Sequence, residues 1–396
     1  ILAVADSNVA VDNLLEGLLG LGVRAVRLGQ PVKVRENLRL ATVDAQMENH
    51  PLRRDLGEHL ELNDKLARRI SGMKGKEKGL AHRELNRGWK EVRRIQGQMR
   101  DEILNRAQVL CCTCIGAGHV LLEGRRFSRV LLDEATQATE PASLVPLVRG
   151  ARQIVLVGDH RQLPPTVISQ RAEKGGLRRS LFERLVKMGI EPMLLDTQYR
   201  MHPAISAFPN ETFYEGRLID GIEAAERPAP AGLLWNDWEA PIVFLPLKGG
   251  EVLSPDGASK ENPAEAGWIA RLLEGLLEAG DLAQKDIGII TPYAGQVRAI
   301  RDAIPERYDS VEVHTVDGYQ GREKEVILFS CVRSNDDGNV GFLADSRRLN
   351  VALTRARRGL IVVGDPDTLR SDETWSAWLA HIRSRNLEAW HLLGMA

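Results

Sequence analysis

The chain predicts an α/β protein with parallel sheets in two domains, on three observations. Apolar runs of strand length recur along it and alternate with stretches of helical periodicity, the arrangement that builds crossover helices over a parallel sheet. Two of those runs, Arg129-Val-Leu-Leu-Asp-Glu134 and Gln153-Ile-Val-Leu-Val-Gly-Asp159, close on carboxylates where such a sheet presents its ligand groups. Finally, 396 residues at 43% hydrophobic content are enough for two cores of ordinary size.

From the amino end, Ile1 to Leu14 reads as a strand running into a helix capped by Ser7 or Asn8. Val23 to Leu28 is a second short strand. Leucines at 52, 56 and 60, and then Leu85, Trp89, Val92, Met99 and Ile103, recur at helical spacing, which predicts helices over 52–70 and 85–103. Ser71 to Gly79 between them reads as a flexible basic turn, giving an antiparallel hairpin inserted at about 41–107. Strands follow at 109–113, 130–132 and 154–157, then a helix over 180–188, and the first domain, 1–189, ends near Gly189.

The second domain, 190–396, is expected to hold strands near 193–196, 242–245, 287–291, 311–315, 326–331 and 360–363, with helices over 265–278 and 296–303. The segments 227–232 and 248–262 read as loops.

Composition excludes several classes. The longest apolar runs are of strand length and broken by charge, so no membrane span is expected. Ile1 opens on a strand pattern without a basic leader, and the chain reads as one that begins inside a domain. Three of the four cysteines fall in Cys111-Cys-Thr-Cys114, where only His119 lies near. Common zinc sites need a second ligand pair, so these are read as buried core residues in a reducing compartment. A net charge of -1 makes no global case for nucleic acid. Between Lys65 and Arg106, however, thirteen basic residues far outnumber the acids, as either a solvated helix face or a phosphate-contacting one.

Asp133 and Glu134 suit nucleotide hydrolysis: the first to hold a phosphate-bound magnesium, the second to take a proton from water. An Asp-Glu pair closing a core strand is common, so the reading leans on further segments. These are Leu195-Asp-Thr-Gln-Tyr-Arg-Met-His-Pro203, Val316-Asp-Gly-Tyr-Gln-Gly-Arg-Glu-Lys-Glu325 and Asn350-Val-Ala-Leu-Thr-Arg-Ala-Arg-Arg358. In this order they resemble the motif set of the superfamily 1 helicases. With Val109 to Gly118 and Thr136 to Pro141, they are most similar to its up-frameshift branch, the helicases of nonsense-mediated mRNA decay.

That resemblance implies two RecA-like domains in tandem, the first incomplete, with ATP and Mg2+ as cofactors. It implies that Asp133 holds the metal and that Glu134, Gln162, Arg200 and Arg355 are catalytic, the two arginines as fingers worth about 10³ to 10⁵ in rate. Tyr199 would pack on the adenine, with Glu323 and Gln320 also at the nucleotide. Ser7, Asn8, Thr113, Thr291, Pro292, Tyr293 and Thr315 would hold the backbone of single-stranded RNA or DNA without reading bases. Movement would be 5′ to 3′. The implied protein is a cytoplasmic or nuclear monomer, off the membrane, that meets regulatory proteins of mRNA decay.

One element of the chemistry is missing from this sequence. The Gly-rich loop ending in Gly-Lys-Ser/Thr does not occur, and the one Gly-Lys pair, Gly75-Lys76, is followed by Glu77. In the family that loop precedes the segment that Ile1 begins, so the chain as given is expected to be inactive. Its first domain, lacking a strand, is expected to be the less stable half. A non-catalytic binding protein is the competing reading; keeping six site residues together favours the helicase.

Overall fold

The computed structural model describes residues 1–393, which fall into two compact units, 1–160 with 164–190 and 161–163 with the described residues from 191 onward. In the first unit the order is β1 (Leu2–Ala5), α1 (Asn8–Gly20), β2 (Ala25–Arg27), α2 (Val43–Glu48), α3 (Arg53–Ile70), α4 (Gly75–Arg106), β3 (Val109–Thr113), β4 (Arg129–Asp133), α5 (Glu140–Leu147), β5 (Gln153–Leu156), α6 (Gln170–Lys174) and α7 (Leu181–Lys187). The second unit carries β6 (Thr197–Gln198), α8 (Pro203–Tyr214), β7 (Ile219–Asp220), β8 (Ile242–Pro246), β9 (Val252–Leu253), β10 (Lys260–Glu261), α9 (Pro263–Glu278), β11 (Ile287–Thr291), α10 (Ala294–Ala303), β12 (Glu312–Thr315), β13 (Lys324–Ser330), α11 (Ser346–Leu353), β14 (Ala356–Gly364), α12 (Pro366–Leu369), α13 (Glu373–Ser384) and α14 (Trp390–Leu393).

Each unit is built on one five-stranded parallel sheet: β2-β3-β1-β4-β5 in the first and β12-β11-β13-β14-β8 in the second. The short apolar runs follow from burial on both faces. In β1, Leu2 and Val4 enter one core while Ala3 and Ala5 enter the other. In β8, Ile242 and Phe244 face one core and Val243 and Leu245 the opposite one. This is the α/β architecture, doubled, that the sequence predicts.

The inserted hairpin is α3 against α4, with Leu56, Val92, Ile95 and Met99 as its own small core. Gly88 lets the helices approach, since a Cβ there would sit 1.8 Å from the side-chain oxygen of buried Asn63. The expected flexible turn over 71–79 is shorter than predicted: α4 starts at Gly75, so Lys76 and Lys78 ride on its first turn. Lys and Glu are good helix formers, and they outweigh Gly75 and Gly79.

Two other expectations fail. No strand forms at 193–196: Met193 and Leu195 are exposed, and only Thr197–Gln198 pairs, with Ile219–Asp220 outside the main sheet. The apolar run there has no neighbouring strand to bond. The 248–262 segment is not all loop, because Val252–Leu253 and Lys260–Glu261 close an antiparallel ribbon around a turn pinned by Ser254 and Asp256.

Candidate functional site

Register brings the first unit's candidates to one rim. Ala5 pairs with Thr113 on one side and with Asp133 on the other, so the ends of β3, β1 and β4 lie side by side. Asp133 is half-buried and its Oδ1 accepts from the Glu134 amide at 3.0 Å; burial pushes its carboxyl above the ordinary range, and that amide only partly offsets the rise. Glu134 then turns the chain at a φ of 50°, a conformation uncommon outside glycine, and its carboxylate accepts from Gln137 Nε2. Gly158 is needed beside this turn, since a Cβ there would meet the amides of Ala135 and Thr136 at 3.0 Å.

On the neighbouring turn, Ser7 caps α1, its Oγ accepting from the Ala10 amide at 3.1 Å. Asn8 Oδ1 accepts from Arg27 Nη2 at 2.8 Å, and the almost fully buried Arg27 also donates to Asp12. Thr113 Oγ1 accepts from the Gly116 amide at 3.0 Å.

In the second unit the candidates separate to opposite ends of the sheet. Gln320 and Glu323 precede β13, and Arg355 precedes β14, at the amino-terminal rim. Arg200 joins them there: it is ion-paired with Glu323 and donates through Nη1 to the Thr354 carbonyl at 3.0 Å. Arg355 is buried, donating through Nε to the Val351 carbonyl of α11 at 3.0 Å and through Nη2 to Gln162 Oε1 at 3.2 Å. Burial pushes the Glu323 carboxyl up, but Arg200, Arg357 and Arg355 outweigh it and hold the group below its ordinary range.

Tyr199 is two-thirds exposed, its ring lying over Gly221, where a Cβ would collide with it at 2.4 Å. Gln320 Nε2 is buried with no hydrogen-bond partner among the described residues.

Thr291 and Thr315 pair across β11 and β12 at the carboxy-terminal rim, about 20 Å away given the rise of a strand of five to seven residues. Thr291, Pro292 and Tyr293 are all buried: Thr291 Oγ1 finds no hydrogen-bond partner among the described residues, and the Tyr293 hydroxyl accepts from Arg333 Nη1 and the Phe342 amide, both at 3.2 Å. The Tyr293 ring packs against Phe342, so the turn is held under the 341–344 segment. Thr315 is only partly covered, and its Oγ1 accepts from the Gly318 amide.

Several positioning residues escape a reading of the sequence. Gln198 Oε1 accepts from the amides of Arg200 and Met201 at 2.9 and 2.8 Å and so fixes the backbone under Arg200. Thr354 joins the two arginines, accepting Arg200 at its carbonyl and Arg355 at Oγ1. Both lie inside the motif segments, so adjacency to the arginines is the available cue. Among the described residues no group of three or more His, Cys, Asp or Glu could hold a metal, and Cys111, Cys112 and Cys114 are buried, their thiols pushed up to about 12 by burial.

Two family models, each described as an AAA domain, match residues 1–170 and 177–367. A regulator of nonsense transcripts 1 homolog from Neurospora crassa is 40% identical over 393 residues, 97% of this chain and 35% of that protein. The chain is a homologue of the regulators of nonsense transcripts 1. The homolog from Arabidopsis thaliana is 41% identical over 97% of this chain and 30% of its own. The ATP-dependent helicase NAM7 of Saccharomyces cerevisiae is 40% identical over 97% of this chain and 39% of its own. The chain thus spans between about three tenths and two fifths of these relatives. An arterivirus nonstructural protein 10 helicase of known structure covers 94% of this chain and 55% of its own at 11% identity, with a TM-score of 0.44.

Proposed function

We propose that this chain is the motor core of an ATP-dependent helicase that moves along single-stranded nucleic acid. By family resemblance the track is RNA, the movement 5′ to 3′ and the compartment the cytoplasm. The observation that carries the reading is the cluster of Arg355, Gln162, Arg200 and Glu323 around Thr354, which brings together residues from four distant segments. A packing role does not require two arginines and a carboxylate at one partly open rim.

The fit to a nucleotide rests on Gln320, with its unsatisfied buried donor, and on the exposed ring of Tyr199, next to Arg200 in the chain. Magnesium is commonly held by one or two carboxylates with water and phosphate oxygens, so Asp133 alone suffices as the protein ligand from this chain. The metal would neutralise charge on the phosphates. Glu134 would accept the proton of the attacking water, while Arg200 and Arg355 would stabilise charge that develops at the transferred phosphoryl group. Nucleotide state is then coupled to the second unit through contacts that the arginines gain only with nucleotide bound and that hydrolysis removes. In the second unit the two rims lie at opposite ends of one sheet, so β11, β13 and the segments after them would carry the coupling.

The test is Glu134→Gln in a form extended to the length of the relatives. Nucleotide affinity should stay within a few-fold while phosphate release falls by at least a hundredfold. Turnover within tenfold of the unsubstituted protein would remove Glu134 from the role. An unsubstituted extended protein that binds RNA but hydrolyses nothing would favour a binding protein without a motor.

A further inference from the structure

The turn that buries Tyr293 does so while leaving a neighbouring aromatic ring in solvent. Phe342 is 56% exposed, while Leu343 beside it is buried in the core. Its backbone is pinned: the Phe342 amide donates to the Tyr293 hydroxyl, which also accepts from Arg333. Gly341 makes the pinning possible, with a φ of 55° and no Cβ to strike that hydroxyl and the Arg333 guanidinium.

The ring itself is framed on two sides. Tyr293 lies with its centroid 5.3 Å away at 40°, and the Arg348 guanidinium carbon stands 5.3 Å from the Phe342 centroid. Arg348 is fixed there by two bonds to Asp317, two residues beyond Thr315. The result is an exposed aromatic ring held in place by Tyr293 and by the Arg348 guanidinium over it, on the rim that holds Thr291 and Thr315. Folding alone does not call for an apolar ring at this exposed position.

We propose that Phe342, backed by Tyr293 and flanked by Arg348, is a stacking platform for a base of the bound single strand. The proposal rests on the reading of this protein as a single-strand translocase. It favours a base over a phosphate because the nearby cations are already engaged by carboxylates: Arg333 by Glu251, Arg348 by Asp317 and Arg347 by Asp345. What remains on offer is exposed ring surface, and every base has a π-face to lay against it. An aromatic platform also adds affinity without choosing a sequence, as a translocase needs.

The experiment compares the full chain with its Phe342→Ala and Phe342→Trp variants, binding fluorescent oligouridylate and an abasic oligonucleotide of equal length. Phe342→Ala should weaken binding to oligouridylate by about fivefold to a hundredfold, and leave binding to the abasic strand within twofold. Phe342→Trp should restore the affinity, and the fluorescence that it adds should be quenched by oligouridylate but not by the abasic strand. Equal losses on the two strands, or no loss on either, would overturn the platform while leaving single-strand binding intact. If the unsubstituted chain binds neither strand, alone or extended to the length of its relatives, the translocase reading falls and the platform with it. If Phe342→Ala instead abolishes capture of a protein partner while oligouridylate binding is unchanged, the ring is a protein contact and the proposal is wrong.

Discussion

Arg27 turns Asn8 to face outward by its nitrogen. The guanidinium, buried at the end of β2, donates to Asn8 Oδ1 at 2.8 Å, and because arginine has no acceptor the amide must keep its oxygen inward. Asn8 Nδ2 is left as the donor on the rim beside Thr113 and Asp133. Asn8→Asp should therefore fold as well as the unsubstituted chain, since a carboxylate serves Arg27 equally. Single-stranded RNA binding should nevertheless fall by tenfold or more, as a donor to phosphate worth about 1.5–3 kcal/mol becomes a negative charge. Fluorescence anisotropy alongside a thermal melt separates the two effects; affinity unchanged within twofold would mean that Asn8 is only a structural partner of Arg27.

The second unit hides a carboxyl that makes its stability depend on pH. Glu265 is fully buried near the start of α9, where its Oε2 accepts from both Ser330 Oγ and the Val332 amide, and Asn262 Nδ2 donates to the Val332 carbonyl. Together these groups hold both polar atoms of a valine at a φ of 73°, a strained value for a β-branched residue. Burial pushes the Glu265 carboxyl up to about 8, against the hydrogen bond from Ser330. Well below pH 4.5 the group is protonated whether or not the chain is folded. Between 4.5 and about 8 only the unfolded chain releases the proton, so stability falls as pH rises, by at most about 1.4 kcal/mol per pH unit. Urea midpoints followed through the buried Trp375 and Trp378 should drop from about pH 5 to about pH 8, and Glu265→Gln should flatten the trend. An unchanged slope in that variant would assign the pH dependence elsewhere.

Much of the fold is legible in the sequence because both sheets are buried on two faces. Such strands are unbroken apolar runs, and β3 and β11 fall on the predicted residues. The run at 193–196 has the same composition and is not a strand, since a strand exists only through its neighbour and composition does not name one. Helix α8 has no counterpart among the predicted elements; it carries Pro209 in its interior, and Pro203 in its first turn, where proline is tolerated. At the site, the motifs locate Arg200, Glu323 and Arg355 in sequence but not the groups they touch. That Tyr293 points inward and Phe342 outward depends on the turn at Gly341, which motif matching does not resolve.

At the tip of the α3–α4 hairpin, Lys74, Lys76 and Lys78 are exposed and make no ion pair among the described residues. Further along the same helices, Lys65 is paired with Glu61 and Arg94 with Glu91, so their charge is partly neutralised where that of the three lysines is not. Each lysine that neutralises a phosphate releases a counterion on binding. Replacing all three with alanine should weaken single-strand binding and reduce the slope of log affinity against log salt by about 0.7 for each phosphate no longer neutralised. If the slope measured between roughly 50 and 200 mM salt is the same in the triple variant, the tip is a solvated surface. The hairpin core at Leu56, Val92 and Met99 lies away from these substitutions, so unfolding is not a competing cause.

Arg355 and Gln162 meet at 3.2 Å, and their proposed roles are coupled by that hydrogen bond. The arginine also donates to the carbonyl of Val351 at the end of α11, so Arg355→Ala leaves that buried acceptor with only the 3.4 Å contact from Thr354 Oγ1 and should cost about 1–3 kcal/mol of stability. Its larger effect is expected on turnover in the extended protein, a loss of about 10³-fold or more if the guanidinium meets the phosphoryl group. Gln162→Ala removes one polar partner and should fold normally, with a smaller kinetic loss. The informative quantity is the double variant. If Arg355 also orients Gln162, the combined loss of kcat is smaller than the product of the two single losses, because the second substitution removes a group that the first has already released. Strict multiplication of the two losses would make the 3.2 Å bond incidental, with each residue acting alone. Arg355→Lys decides whether charge is enough: a lysine cannot reach Val351, Thr354 and Gln162 at once, so recovery of most of the turnover by lysine would exclude the forked geometry as the cause.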